Sequence, residues 1–85
     1  ILSNQITNGK TVKVFPTLSE NEIIITFPYY NLWEISIIDM QGKINLRKKV
    51  KSVSTTINRN NLAKGLYFME ISCKNYRETK KIIFK

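Results

Sequence analysis

Eighty-five residues suffice for one small domain with a modest core. The chain carries 14 Lys and Arg against 6 Asp and Glu, a net charge of +8, and it has no histidine, which excludes Ser-His and Cys-His catalysis and histidine metal sites. Apolar residues make up 42% of it, enough for a packed domain rather than a disordered tail, and no run approaches the ~18 apolar residues of a membrane-spanning helix.

Residues 1–10 are polar with weak periodicity and read as a linker or N-terminal arm. The first residue is Ile1 and no signal-peptide pattern follows, so the chain reads as a piece of a longer one. The domain proper is expected over residues 11–85. Thr11 to Phe15 alternates as a first strand that Pro16 ends, and Thr17 to Asn21 reads as a loop. Glu22 to Phe27 is a second strand with Ile23, Ile25 and Phe27 on one face, and Pro28 stops it. Tyr29-Tyr30-Asn31 is a connection, with the tyrosines packing over one end of the sheet or forming a surface patch.

Trp33 to Ile38 is a third strand, with Trp33, Ile35 and Ile37 inward. Asp39-Met40-Gln41-Gly42 is a turn, with Asp at its opening position and Gly at the left-handed one. In the fourth strand, Lys43 to Val50, Ile44, Leu46 and Val50 face in and Lys43, Arg47, Lys49 and Lys51 face out; Lys48, on the apolar side, would snorkel past an aromatic such as Trp33. Two registers fit this hairpin. Parity sets Ile37 against Ile44 and Glu34 against Arg47, whereas a turn with a Gly bulge sets Asp39 against Lys43.

Val53, Thr55 and Ile57 mark a fifth strand. Leu66 to Cys73 is the sixth and strongest, with Tyr67, Met69, Ile71 and Cys73 on one face. Leu62, Gly65 and Tyr67 have the spacing of a tyrosine corner, in which the hydroxyl bonds back to the preceding turn; an ordinary core tyrosine fits the same spacing. Lys74-Asn75-Tyr76-Arg77 reads as a turn, and Glu78 to Phe84 as the seventh strand with Ile82 and Phe84 inward.

No helical period is present, and β-branched residues dominate. Seven short strands at regular spacing predict an all-β domain, a seven-stranded antiparallel Ig-like β-sandwich with Greek-key features. A small oligonucleotide-binding barrel is the alternative. Cys73 is the only cysteine, and its parity reads as a buried small hydrophobe, with an intermolecular disulfide as the other reading. The carboxylates Glu20, Glu22, Glu34, Asp39, Glu70 and Glu78 are scattered with no acid-base pair or metal cluster among them, so neither catalysis nor a cofactor is expected. Residues 1–40 carry a net charge of −2 and residues 41–85 one of +10. The basic half reads as a solvated, edge-protecting face, with an anionic partner as the other reading.

In order, Val14-Phe15-Pro16, Asp39-Met40-Gln41-Gly42-Lys43, Leu62-Ala63-Lys64-Gly65-Leu66-Tyr67 and Thr79-Lys80-Lys81-Ile82-Ile83 resemble the type A C-terminal sorting domain of type IX secretion, the Por system of Bacteroidetes. That family's pattern is an aromatic-Pro-Asn-Pro start, an Asp-x-x-Gly-Lys/Arg turn, a Leu-x-x-Gly-x-Tyr corner and a closing Thr-x-Lys-apolar strand. The likeness spans residues 11–85; it departs at Thr17-Leu18, where the family has Asn-Pro. The resemblance implies a non-catalytic secretion signal. A cargo reaches the periplasm, the type IX translocon recognises the domain, and the cargo crosses the outer membrane to be secreted or held at the cell surface. A surface sortase then removes the domain and couples the cargo to anionic lipopolysaccharide. The signal-motif residues it implies are Asp39, Gly42, Leu62, Gly65, Tyr67, Lys80 and Lys81. Two other functions fit the residues: an accessory module binding a glycan or partner protein through Tyr29, Tyr30 and Trp33, and a basic nucleic-acid binder. No nucleic acid partner is expected.

Overall fold

A computed structural model describes residues 11–74 and 76–85; the expected arm over residues 1–10 lies outside them. Among the described residues there are six strands and no helix: β1 (Lys13–Phe15), β2 (Leu18–Ser19), β3 (Glu22–Ile38), β4 (Ile44–Asn58), β5 (Gly65–Cys73) and β6 (Tyr76–Phe84). The all-β class is therefore as the sequence indicates. The count of seven is not, because two expected breaks are absent and one strand, β2, falls where a loop was expected. The second and third expected strands form one 17-residue strand, β3, and the fourth and fifth form the 15-residue β4.

Pro28 does not stop β3. The pairing of β3 with β4 jumps from Thr26 opposite Ser54 to Asn31 opposite Ser52. Residues 27–30 thus bulge against a single residue of β4, and a proline, which has no N–H to give a ladder, is tolerated in a bulge. The bulge also bends the strand. A straight strand of this length would run about 56 Å at ~3.3 Å per residue, while the longest dimension of the molecule is 42 Å. Bending is what brings Ile23, Ile25 and Phe27 into the same core as Trp33, Ile35 and Ile37.

The sheet curls on itself around that core. Its order is β1-β3-β5-β6-β2, with β4 along the other side of β3. The first half of β3 lies between β1 and the end of β4, and the second half between β5 and the start of β4. The stretch expected as a loop after Pro16 contains β2, which pairs with the end of β6, Leu18 with Ile83 and Ser19 with Phe84. This pairing is parallel, so the sheet is not wholly antiparallel. The Phe15–Pro16 peptide between β1 and β2 is cis. Since β1 lies on β3 and β2 on β6, residues 13–19 connect the two margins of the sheet and nearly close it.

Period-two alternation places the core where the sequence puts it. Ile23, Ile25, Trp33, Ile35, Ile37, Ile57, Tyr67, Met69, Ile71, Cys73, Ile82 and Phe84 are buried, and Leu46, Val50 and Leu62 pack against them from the rim. Ile44 is the exception, being exposed. The hairpin register explains it. Near the turn Ile38 faces Ile44 and the Asp39 amide bonds to the Lys43 carbonyl at 2.9 Å, which is the Gly-turn register. Beyond it Ile37 faces Leu46, so Asn45 is one residue extra, and Ile44 falls on the opposite face from Leu46. The parity register is not formed. Glu34 stands opposite Lys49 and reaches Arg47 diagonally at 3.6 Å. Lys48 does not run past Trp33; its Nζ donates to the Thr56 carbonyl at 3.2 Å, spanning from the first half of β4 to the second.

Trp33 is the hub of one end. Its ring stacks on Phe27 at 4.7 Å, meets Tyr76 edge-on at 5.4 Å and Tyr29 at 5.3 Å, and its Nε1–H donates to the Tyr29 carbonyl at 3.0 Å. Tyr29 therefore packs over the sheet end while Tyr30 points outward. Tyr76 and Arg77 begin β6 rather than forming a turn; Arg77 bonds to Glu70 on β5 at 2.8 Å.

Candidate functional site at the turn end

At the other end of the molecule two turns adjoin. The Asp39–Lys43 turn joins β3 to β4, and residues 59–64 join β4 to β5. Each is shaped by its own side chains. Asp39 Oδ1 accepts from the Gln41 and Lys43 amides, both at 2.9 Å, and its carbonyl accepts from the Gly42 amide at 3.0 Å. Gly42 has φ +86°, where a side chain would be strained. The bulged Asn45 turns back and donates to Asp39 Oδ2 at 3.1 Å and to the Lys43 carbonyl at 3.2 Å.

The Asn45 amide, and after it the Lys43 N–H, hold the Asp39 carboxyl below its ordinary value. A lowered carboxyl stabilises the turn above the ordinary carboxylate range, and that contribution is lost as pH falls through the lowered value.

In the second turn Asn60 takes the left-handed conformation, φ 52°, and the Leu62 amide bonds to the Arg59 carbonyl at 3.0 Å. The Tyr67 hydroxyl donates to the Ala63 carbonyl at 2.7 Å, so the corner spacing is realised as a corner and not merely as a core tyrosine. The Tyr67 ring meets Phe84 edge-on at 5.8 Å. Gly65 has φ +143°, and a Cβ added there would meet nothing within 4 Å. Backbone conformation rather than crowding calls for glycine. Gly65→Ala is accordingly expected to cost about 1 kcal/mol or more, read as a lower urea midpoint; an unchanged midpoint would refute this account of the corner.

The two turns enclose an open cleft of about 460 Å³ lined by Asp39, Gln41, Asn45, Leu62, Gly65 and Tyr67 among others. Of the seven residues singled out from the sequence, Asp39, Gly42, Leu62, Gly65 and Tyr67 thus gather at this end. The two lysines do not. Lys80 lies on the inner-facing side of β6, its Nζ 2.7 Å from Glu78, whose carboxylate also accepts from the Tyr76 hydroxyl. Burial raises the Glu78 carboxyl, but the bonds from Lys80 and Tyr76 outweigh it and the net shift is downward. Lys81 is exposed on the outer face of the sheet, opposite Phe68.

Arg59 is the residue that sequence reasoning missed. Its amide bonds to the Asn21 carbonyl at 2.7 Å, its Nε to the Leu62 carbonyl at 2.9 Å, and one terminal nitrogen to the Glu20 and Lys85 carbonyls at 3.3 and 3.2 Å. It ties the β2–β3 connection, the second turn and the end of β6 together. Its partners are all backbone oxygens, and apart from Leu62 they are distant in sequence, so no local pattern announces it.

Trp33 is fully buried, which removes the central aromatic from the glycan-binding reading. Among the described residues no three His, Cys, Asp or Glu side chains group as a metal site.

What the curled sheet and its turn end define is a small β-domain in which the residues gathered at the turn end shape turns and core. The model of the secretion system C-terminal sorting domain matches residues 13–85, and the chain belongs to that family, the sorting domains of type IX secretion. No individual curated protein matches the sequence. A protein bearing such a signal is secreted or held at the cell surface. No helix of the described residues is long and apolar enough to cross a membrane.

Proposed function

We propose that residues 11–85 are a non-catalytic signal, read as a folded surface by the type IX translocon, that carries an attached cargo from the periplasm across the outer membrane. A surface sortase then removes the domain, and anionic lipopolysaccharide receives the cargo. The scaffold is a variant of the Ig-like sandwich in which one bent hairpin, β3–β4, supplies strands to both layers. The observation that carries the reading is the family match over nearly the whole chain. The gathering of Asp39, Gly42, Leu62, Gly65 and Tyr67 at one end supports it, because these motif residues are far apart in sequence and build one surface. Most of them work by fixing backbone shape, so the signal lies in a folded contour more than in any single side chain.

The test is transfer. Residues 1–85 fused behind an inert periplasmic passenger are expected to bring it to the surface or medium of a host with a type IX system, and not of an otherwise identical host lacking the translocon. A passenger that stays in the periplasm with the domain folded would move the accessory binding module into first place.

A further inference from the structure

The outer face of the sheet divides into two unlike halves. Residues paired across strands share a face, so the rows can be read from the register. Toward the Trp33 end the rows are polar: Lys49, Glu34, Ser72 and Arg77, then Arg47, Ser36, Glu70 and Thr79. Both carboxylates here are engaged, Glu34 by Arg47 at 3.6 Å and Glu70 by Arg77 at 2.8 Å.

Toward the turn end the rows become apolar: Ile44, Ile38 and Phe68 with Lys81, then Leu66, Ile83 and Leu18. Each of β2 to β6 contributes. Leu18 is 50% exposed, Ile44 44%, Ile83 39% and Phe68 36%. A solvated antiparallel face ordinarily alternates to polar residues here, and a contiguous exposed apolar area marks a contact surface. Its charge is mainly positive, with Asp39 on the first flanking turn as the nearest carboxylate. Lys81 stands in the row, Lys43 and Lys64 lie on the two flanking turns, and none of the three makes an ion pair among the described residues.

We propose that this face, Ile38, Ile44, Leu66, Phe68 and Ile83 around Lys81, is where the domain docks on the export machinery, and that the surface it meets is a protein one, apolar at its centre and bordered by carboxylates. The inference rests on the sorting reading and names the face and the chemistry that reading leaves open. Charge complementarity selects the occupant: the unpaired ammonium groups beside an apolar patch call for carboxylates opposite. A folded protein is favoured over a lipid surface because Glu34 and Glu70 pair with Arg47 and Arg77 and so leave few free cations in the rows of this face, whereas an anionic lipid surface is held by a cluster of about four to eight Lys or Arg. The patch is also continuous with the turn end, since Ile38 precedes Asp39 and Leu66 follows Gly65. The turns that the motif residues shape therefore fix where the apolar rows stand.

The test uses the full chain behind the passenger in a type IX host. Phe68→Thr with Ile83→Thr removes the apolar centre while keeping β-branched residues suited to strands. Lys81→Glu reverses the charge alone and, being exposed, leaves folding almost unaffected. Ile24→Thr with Val53→Thr removes two comparably exposed apolar residues away from this face. With melting midpoints confirmed, both face variants are expected to lose export by about tenfold or more, the loss that removing one interface hot spot carries, and the Ile24/Val53 variant to export normally. A Glu→Lys change in the docking partner that restores the Lys81→Glu variant would establish the carboxylate border.

Export of folded face variants within twofold of the unsubstituted chain overturns the proposal, and so does equal loss in the Ile24/Val53 variant. Self-association in sedimentation that Phe68→Thr abolishes would assign the face to a second copy instead. Binding to anionic vesicles that is lost with Phe68→Thr would assign it to lipid. If the unsubstituted chain exports nothing, the sorting reading itself fails, a result distinct from failure of the face variants alone.

Discussion

Deleting residues 78–85 is expected to unfold the domain and to abolish export of a fused passenger. These residues hold Ile82 and Phe84, 0% and 1% exposed, and each such side chain contributes about 1.5–3 kcal/mol by burial. Together that approaches the ~5 kcal/mol at the low end of small-domain stability. The loss is compounded elsewhere. Most of the β6 ladder on β5 goes, Tyr67 loses its edge-on contact with Phe84, and β2 loses the strand it pairs with. Arg59 loses the Lys85 carbonyl. Circular dichroism should show no cooperative melt and limited proteolysis should show rapid cleavage. A truncated domain that still melts cooperatively would refute the assignment of β6 to the core.

Trp33→Ala should be the most damaging single substitution, at about 3–5 kcal/mol for the loss of a fully buried large aromatic. Three aromatic rings pack on this indole, and its Nε1–H donates to the Tyr29 carbonyl inside the bulge. Removing it therefore opens a cavity at the place where β3 changes direction. Trp33→Phe keeps part of the stacking on Phe27 but not the hydrogen bond, and should fall between the two. Denaturant midpoints followed by circular dichroism test the series, because Trp33 is the sole tryptophan and its fluorescence vanishes with it. A loss below about 1 kcal/mol for Trp33→Ala would place the core's anchor elsewhere.

Much of this was legible from period-two alternation. A buried strand face leaves an unmistakable mark, and the residues read as inward on the strands from Glu22, Trp33 and Leu66 are buried. What was not legible follows from how strands end. Pro28 is a sound stop signal for a central ladder, but a bulge removes the need for its missing N–H, and whether a bulge forms is settled by the partner strand. The same holds for Asn45, whose extra position rotates Ile44 out of the core. The two-residue β2 is too short for any periodicity, and its parallel pairing with β6 joins residues about sixty-five apart. The corner at Tyr67 could be read because its parts lie within six residues of one another. The role of Arg59 could not, because the Asn21, Glu20 and Lys85 carbonyls it gathers lie more than twenty residues away.

The pairing of β2 with β6 has a consequence for timing. The β3–β4 hairpin is local and can form as soon as its own residues are present, since closing a short turn is the least costly step for a chain. The strand at Leu18 and Ser19 must instead wait, without its neighbour, until Ile83 and Phe84 are synthesised. Arg59 waits likewise for the Lys85 carbonyl. A recognition surface that exists only in the finished fold thus reports that synthesis has run past residue 84. Ribosome-bound chains arrested before β6 emerges should hold the hairpin yet remain protease-sensitive at residues 16–21, and chains arrested well beyond it should be protected there.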